Sequence, residues 1–205
     1  GDIAFRFLEY VRGKLPRPAL SSTHVAKRSS VVVCDINQSM LNVGEKRALD
    51  KNYDGNPDAK GPSATLPSLS IGFIAGDAQS LPFADASFDA YTISFGLRNV
   101  TDIQSALREA HRVLRKGGRF LCLEFSQVDV PILRQVYDAY SFNVIPLMGD
   151  LVAQDRASYQ YLVESIRKFP AQEDLCRQLE QCGFQYARYD NLMGGIAAIH
   201  SGFKL

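Results

Sequence analysis

Three places in this 205-residue chain set polar side chains at the end of an apolar run. Asp35 closes Val31-Val32-Val33-Cys34, Gly76-Asp77-Ala78 follows Leu69 to Ala75, and the stretch Ser94 to Asn99 closes Phe88 to Phe95. A carboxylate in the position of Asp35 can accept both hydroxyls of a ribose; it can equally shape a turn or start a helix. Asp77 can accept the exocyclic amine of an adenine, with Leu81, Pro82 and Phe83 near enough in sequence to pack on the ring, although Gly-Asp is also an ordinary turn pair. In the third stretch Gly96 lets the backbone come close to a ligand. Arg98 and Asn99 offer donors to a phenolate oxygen or an ordered water; the alternatives are that Arg98 pairs with a carboxylate and Asn99 caps the adjacent helix.

The elements that must position these residues alternate in type. Residues 3–12 read as an amphipathic helix, followed by a linker with Pro16, Pro18 and a polar run from Ser21 to Ser30. Val31 to Ile36 reads as a parallel strand buried on both faces. Residues 38–50 fit a helix with Met40, Leu41, Val43 and Leu49 as its apolar positions, and 50–70 is a surface loop by composition. Strands are expected at 69–75, 88–95 and 119–126. The helix at 102–114 is the most regular, with Ile103, Ala106, Leu107, Ala110, Val113 and Leu114 on one face. Thr101 and Gln104 suggest a capping box at its start, and Arg115-Lys116-Gly117-Gly118 a charged, glycine-capped end. Residues 131–168 are helix-like and dense in aromatics, interrupted at Pro146 and Gly149. A helix at 171–182, with Leu175 and Leu179 inward and Gly183 as its stop, precedes two strands near 184–190 and 196–204, expected to pair antiparallel across a short link. Alternating strands and helices mean an α/β fold with a mostly parallel sheet, in which ligands bind beyond the carboxyl ends of the strands.

Bulk properties narrow the function. A formal net charge of +1 gives no basic excess of the kind nucleic-acid readers show. Apolar residues make up 46% and charged ones 22%, ordinary for a globular domain, and the length suits one domain over 1–205. Cys34, Cys122, Cys176 and Cys182 form no C-x-x-C pair, and with three histidines a zinc site is not expected. The cysteines read as reduced structural residues, and His111 and His200 as structural too.

The stretch SFGLRNVTDIQSALREAHRVLRKGGRFLCLEFS resembles the signature of the UbiE-type quinone C-methyltransferases. CDINQSML, GDAQSLPFADASFD, YDAYSFNVIPLMG, SYQYLVESIRKFP and GGIAAIHSGFKL are similar to further stretches of that family, in collinear order. The resemblance spans nearly the whole chain apart from residues 13–30 and 50–70; FGLRNVTD, YDAYSF and YLVESIRKFP are its most specific parts. It implies the Rossmann-like class I methyltransferase fold, with a mostly parallel sheet and an antiparallel C-terminal strand, holding S-adenosylmethionine and no metal. Carried over residue by residue, Asp35 holds the ribose, Asp77 and Ala78 the adenine, and Ser94 lines the cofactor site. Arg98 and Asn99 face the substrate ring as the catalytic pair, with Tyr140 and Asn143 as further substrate contacts, and 131–168 as the insertion that covers the substrate.

One departure matters. The family carries a glycine-rich loop of the form GGTGD, and only its last two residues are here, as the cofactor-binding candidates Gly1 and Asp2. The strand before that loop is absent, so the chain is expected to be a fragment of a longer one.

The expected reaction is C-methylation of a polyprenylated quinol, in ubiquinone or menaquinone synthesis. A ring carbon becomes nucleophilic once a ring hydroxyl gives up its proton, so the site needs a base or a group that stabilises the phenolate. Arg98 stays protonated and suits the second task, or the orientation of a relay water. The resemblance leans toward mitochondrial members, which implies the matrix face of the inner membrane, peripheral contact, a multi-enzyme assembly and, as one allowed form, a homodimer. Two other classes remain: a non-catalytic structural or lipid-binding member, and a nucleotide-dependent oxidoreductase, which would want a G-x-G-x-x-G loop.

Overall fold

The computed structural model describes residues 2–14, 29–51, 53, 69–128 and 156–205. The chain divides into two compact units, Gly1–Ala78 and Gln79–Leu205.

In the first unit, helix α1 (Asp2–Lys14) precedes strand β1 (Ser29–Asp35), helix α2 (Gln38–Asp50) and strand β2 (Leu69–Ala75). β1 and β2 pair in parallel, from Ser29 opposite Leu69 to Asp35 opposite Ala75. Phe5 and Leu8, one helical turn apart on α1, pack into a cluster with Ala48, Tyr53 and Ile71, backed by Val31, Val33, Leu69 and Phe73.

Three expectations are corrected here. The buried face of α2 is Leu41, Gly44 and Ala48, while Met40, Val43 and Leu49 are exposed. The reason is space: a Cβ on Gly44 would lie 2.5 Å from Cε1 of Phe73, so only a residue without a side chain lets α2 approach β2 there. Val31 to Cys34 of β1 are half-buried rather than fully enclosed. Within the stretch expected to be a surface loop, Tyr53 is 2% exposed, its ring 6.0 Å from that of Phe5; residues 54–68 of that loop lie outside the described residues.

The second unit is a four-stranded sheet with helices packed against it. Strand β3 (Phe88–Ser94) leads through a 3-10 turn at Leu97–Asn99 to helix α3 (Ile103–Val113) and strand β4 (Leu114–Phe125). Helices α4 (Arg156–Lys168) and α5 (Gln172–Gln181) precede strands β5 (Gln185–Leu192) and β6 (Ala197–Phe203). Strand order is β3-β4-β6-β5, with β3 and β4 parallel and the other two pairings antiparallel. The expected antiparallel pairing of the last two strands is thus observed, from Leu192 opposite Ala197 outward.

Burial alternates along the regular part of β4, where Phe120, Cys122 and Glu124 are buried and Leu121, Leu123 and Phe125 half-buried. That alternation follows from the two-residue period of a strand. α3 presents Ala106, Leu107, Ala110 and Val113, and α5 presents Leu175, Cys176 and Leu179, as buried faces. Phe120 stacks at 5.7 Å on Tyr91 and lies 5.2 Å from Phe184.

The ends of α3 differ from the capping chemistry expected. Asp102, not Thr101, is the N-cap, its Oδ1 accepting from the Ser105 N–H at 3.1 Å. At the other end Leu114 is already extended, so Arg115 to Gly118 form an irregular start to β4 rather than a helix cap, and Gly117 takes a φ of 81° there. α5, in contrast, stops as expected near Gly183. The Phe184 N–H donates to the Leu179 carbonyl and the Gly183 N–H to that of Glu180, with Gly183 at φ 94°. This is the paired bond pattern that closes a helix on a left-handed glycine.

Candidate functional site

In the first unit, β1 and β2 end side by side. Asp35 is exposed, and its Oδ1 accepts the Asn37 N–H at 2.8 Å. Asn37 in turn caps α2, accepting from the N–H groups of Ser39 and Met40. The turn role raised for Asp35 is therefore present, on an exposed carboxylate. Across the pair, the Gly76 N–H donates to the Asp35 carbonyl at 3.1 Å, and half-buried Asp77 and Ala78 follow. Burial pushes the Cys34 thiol up, and the charges of Asp35 and Asp77 push it further, so both carboxylates act on one point at this strand end. Asp2 stands in the first turn of α1 and pairs with Arg47 of α2 at 2.6 Å. That bond holds the Asp2 carboxyl below its usual range. Gly1, Tyr140 and Asn143 lie outside the described residues.

In the second unit, Ser94 ends β3 opposite Leu123 of β4, and the Phe95 N–H still donates to the Leu123 carbonyl at 2.9 Å. The chain then turns sharply. Phe95 carries the left-handed conformation, at φ 52°, with its ring 4.8 Å from that of Phe125. Gly96 does not: its φ is −123°, and a Cβ there would make only ordinary contact with Ile93. A bulky residue in the left-handed region costs about 1–2 kcal/mol, and such strain clusters at functional sites.

Leu97 anchors the following turn, 1% exposed. Arg98 comes next and is not free: its Nη1 donates to Oε1 of Glu124 at 2.9 Å and to the Phe95 carbonyl at 2.5 Å. Its backbone N–H reaches Oε2 of the same glutamate at 3.3 Å, and its guanidinium lies 5.5 Å from the Phe125 ring centre. The carboxylate pairing weighed from the sequence is the arrangement found. Among the described residues the Nε of Arg98 is buried with no hydrogen-bond partner, as is the hydroxyl of Ser126 just past β4.

Asn99 does not cap α3; its N–H closes the 3-10 turn on the Gly96 carbonyl, and its Oδ1 accepts from the Tyr161 hydroxyl of α4 at 3.3 Å. Arg98 lines a cavity of about 510 Å³ together with Thr101, Gln104, Tyr161, Lys168 and Gln178. The cavity sits where the turn after β3 meets α3, α4 and α5, and its wall mixes cationic, amide, hydroxyl and aromatic groups with the carboxylates of Asp102 and Glu164.

Glu124 and Tyr161 are the two residues of this site that sequence reasoning missed. Glu124 carried a signal: a glutamate inside the apolar run Phe120 to Phe125 must be paired if it is buried. Tyr161 carried none, since nothing in its helix distinguishes it from the neighbouring aromatics. The histidines read as structural are structural in place. His111 stands edge-on to Phe184 at 5.0 Å, and His200, fully buried, has its Nε2 3.2 Å from the Gln172 carbonyl. All four cysteines are free thiols.

Comparison with known proteins adds the following. The model of the ubiE/COQ5 methyltransferase family matches residues 1–204. The mitochondrial 2-methoxy-6-polyprenyl-1,4-benzoquinol methylase of Oryza sativa subsp. japonica is 51% identical over 207 residues, covering all of this chain and 66% of that protein. The protein of the same name from Mus musculus is 50% identical over 224 residues, again covering all of this chain and 64% of its own length. The chain thus spans a little under two thirds of these relatives. Among solved structures, an Aquifex aeolicus SAM-dependent methyltransferase matches with a TM-score of 0.58 at 12% identity, over 98% of this chain and 78% of that one. One from Methanosarcina mazei matches with a TM-score of 0.53 at 21% identity, over 86% and 82%. These two likenesses establish the class I methyltransferase fold.

Proposed function

Given that this chain belongs to the ubiE/COQ5 methyltransferase family, we propose that the whole protein methylates a ring carbon of a polyprenylated benzoquinol. The observation that carries the reading is the turn Ser94–Asn99, which sets an anchored guanidinium in the wall of a cavity beside the carboxyl ends of β3 and β4, with the Asn99 amide next to it on the Tyr161 hydroxyl. S-adenosylmethionine supplies an electrophilic methyl on a sulfonium; the methyl forms a new bond to the ring carbon while its old bonding pair stays on sulfur. The residues of this chain suit that co-substrate. Asp35 and Asp77, two carboxylates at the ends of the paired strands β1 and β2, match the hydroxyl and amine donors of a nucleoside: Asp35 takes the ribose and Asp77, with Ala78, the adenine. Ser94 lines the cofactor site at the end of its own strand, and Gly1 and Asp2 belong to the cofactor loop.

On the substrate side, Arg98 stabilises the ring oxygen as it loses its proton, which raises electron density at the carbon to be methylated. Asn99 holds that oxygen or a water beside it. Tyr140 and Asn143 contact the substrate within the covering segment 131–168. The hydroxyl proton leaves to water; after methylation the proton of the ring carbon passes through water to the ring oxygen, which restores the aromatic quinol with one proton released overall. The names of the relatives support a benzoquinol over a demethylmenaquinol, and a mitochondrial location. Peripheral contact with the matrix face of the inner membrane, membership of a quinone-synthesis assembly and a homodimer complete the proposal. Among the described residues no helix is long and apolar enough to cross a membrane.

The test uses the full-length protein, radiolabelled S-adenosylmethionine and both quinols with short tails. The expected result is methyl transfer to the benzoquinol, reduced about 100-fold or more by Arg98→Ala. Cofactor binding without transfer to either quinol would favour a non-catalytic member. Normal kcat and quinol affinity in Arg98→Ala would remove Arg98 from the mechanism.

A further inference from the structure

The residue that most needs an explanation is Glu124. Its side chain is fully enclosed, with 0% exposure, on a strand whose other inward residues are Phe120 and Cys122. Burying a carboxylate costs several kcal/mol before pairing, and replacing such a pair with apolar groups is often neutral or stabilising, so stability alone gives little reason for it.

The bonds it accepts are specific. Of its three donors among the described residues, two belong to Arg98: the Nη1 at 2.9 Å and the backbone N–H at 3.3 Å; the third is the Phe125 N–H at 3.0 Å. Glu124 therefore grips both ends of one residue. With the Phe95 carbonyl as its second acceptor, Nη1 of Arg98 has used both of its protons. Among the described residues the Nε–H of Arg98 is buried and unpartnered, while Nη2 makes no hydrogen bond and belongs to a side chain that is 11% exposed and lines the cavity. The two protons of Nη2, held on a guanidinium whose other end is tied down, are free for an oxygen atom in the cavity.

We propose that Glu124 is the positioning residue of this site: it fixes the Arg98 guanidinium by Nη1 and leaves the other terminal nitrogen, Nη2, as a fixed donor for the quinol oxygen. This rests on the role given to Arg98 above. Glu124 touches no substrate; it acts through Arg98. The advantage is preorganisation, since a guanidinium on a flexible stem would otherwise have to be ordered in every turnover.

The experiment compares Glu124→Gln, Arg98→Ala and the double variant in the full-length enzyme. It measures kcat, KM for quinol and for S-adenosylmethionine separately, the pH profile, and rescue of Arg98→Ala by added guanidinium. Glu124→Gln should lower kcat about 30-fold or more per folded molecule. The KM for S-adenosylmethionine should stay within about twofold, and the acid limb of the profile should move to higher pH as phenolate stabilisation weakens. Guanidinium should restore part of the rate to Arg98→Ala and much less to the double variant. If Glu124→Gln does not fold, the single variant still decides: saturable rescue by guanidinium and none by neutral urea at the same concentration supports a charged seat, and equal effects overturn it. A full rate in Glu124→Gln beside a crippled Arg98→Ala sinks this proposal alone. A full rate in Arg98→Ala sinks the role of Arg98 and this proposal with it.

Discussion

Arg112, in the last turn of α3, should be the most costly charged residue of the second unit to replace outside the site. Its Nε and Nη2 grip the two oxygens of Glu109 at 2.7 and 2.8 Å, a bidentate fork. Nη2 also reaches the Leu81 carbonyl at 3.1 Å, and Nη1 the Phe83 carbonyl and Asp85, both at 2.7 Å. Glu109 closes the network by accepting the Leu81 N–H at 2.8 Å. Side-chain exposure sets the weights: 31% for Arg112, 20% for Glu109 and 79% for Asp85. The shielded fork contributes about 1–2 kcal/mol, the two carbonyl bonds about 0.5–1 each, and the exposed Asp85 arm a few tenths. Arg112→Met, which keeps the apolar stem, should therefore cost about 3 kcal/mol. Arg112→Lys should recover less than about 1 of that, since a single ammonium cannot replace the fork. Glu109→Gln should cost about 1–1.5 and Asp85→Asn under about 0.5 kcal/mol. Urea titrations at constant m-value read these differences. Acid gives an independent check. The Arg112 hydrogen bond holds the Glu109 carboxyl below its ordinary value of 4.5, against a smaller opposing effect of burial. A depressed carboxyl contributes stability that is complete above 4.5 and lost as pH falls through the lower folded value, so wild type and Glu109→Gln should converge on acidification. Arg112→Met within about 1 kcal/mol of wild type, or Asp85→Asn costing as much as Glu109→Gln, would refute this reasoning.

Three further outcomes are expected. Asp35→Asn or Asp77→Asn should each speed alkylation of Cys34 up to a few-fold at pH 8, because each removes a charge that raises the thiol, while burial, the larger cause, stays; mass-resolved labelling with iodoacetamide reads this, and unchanged rates would show that the carboxylates do not act there. Gly183→Ala should destabilise by about 1–2 kcal/mol, since φ is 94° and the new Cβ would lie 3.1 Å from the His111 ring; an unshifted thermal midpoint would contradict the cap geometry. Burial holds the His200 imidazole below 6.5, only partly opposed by its bond to Gln172, so the folded state favours the neutral ring. Stability from this group is then full above 6.5 and lost as pH falls through the folded value, and His200→Gln should flatten the decline between pH 7 and 5 in urea midpoints.

What was readable from the residues was whatever depends on local pattern. The limits of α2 and β2 follow from runs of apolar and breaking residues, and the buried face of α3 from its helical spacing. The face of α2 is not legible from side-chain size. Met40 and Val43 looked like core, yet Gly44 and Ala48 are what fit beneath Phe73. Thr101 and Asp102 are both good capping residues one position apart, and which of them caps depends on where the backbone first turns helical, which the sequence does not fix to one residue. In the site, the strand-end placement of Asp35, Ser94 and Arg98 was legible; the partners were not. Arg98 meets Glu124 from 26 residues away and Asn99 meets Tyr161 from 62, and such pairings are decided by strand order and helix docking, which no local spacing encodes.

Strand order has one more consequence. β6 lies between β4 and β5, although it follows both in the chain. Seven registered pairs from Arg119 to Phe125, and the whole ladder of β5, wait for residues 197–203 to be made. A ribosome that has finished β5 therefore holds a nascent chain whose two strands have no common neighbour to join them. The second unit can close only after β6 has emerged. Until then, chaperones have the exposed edge of β4 to shield.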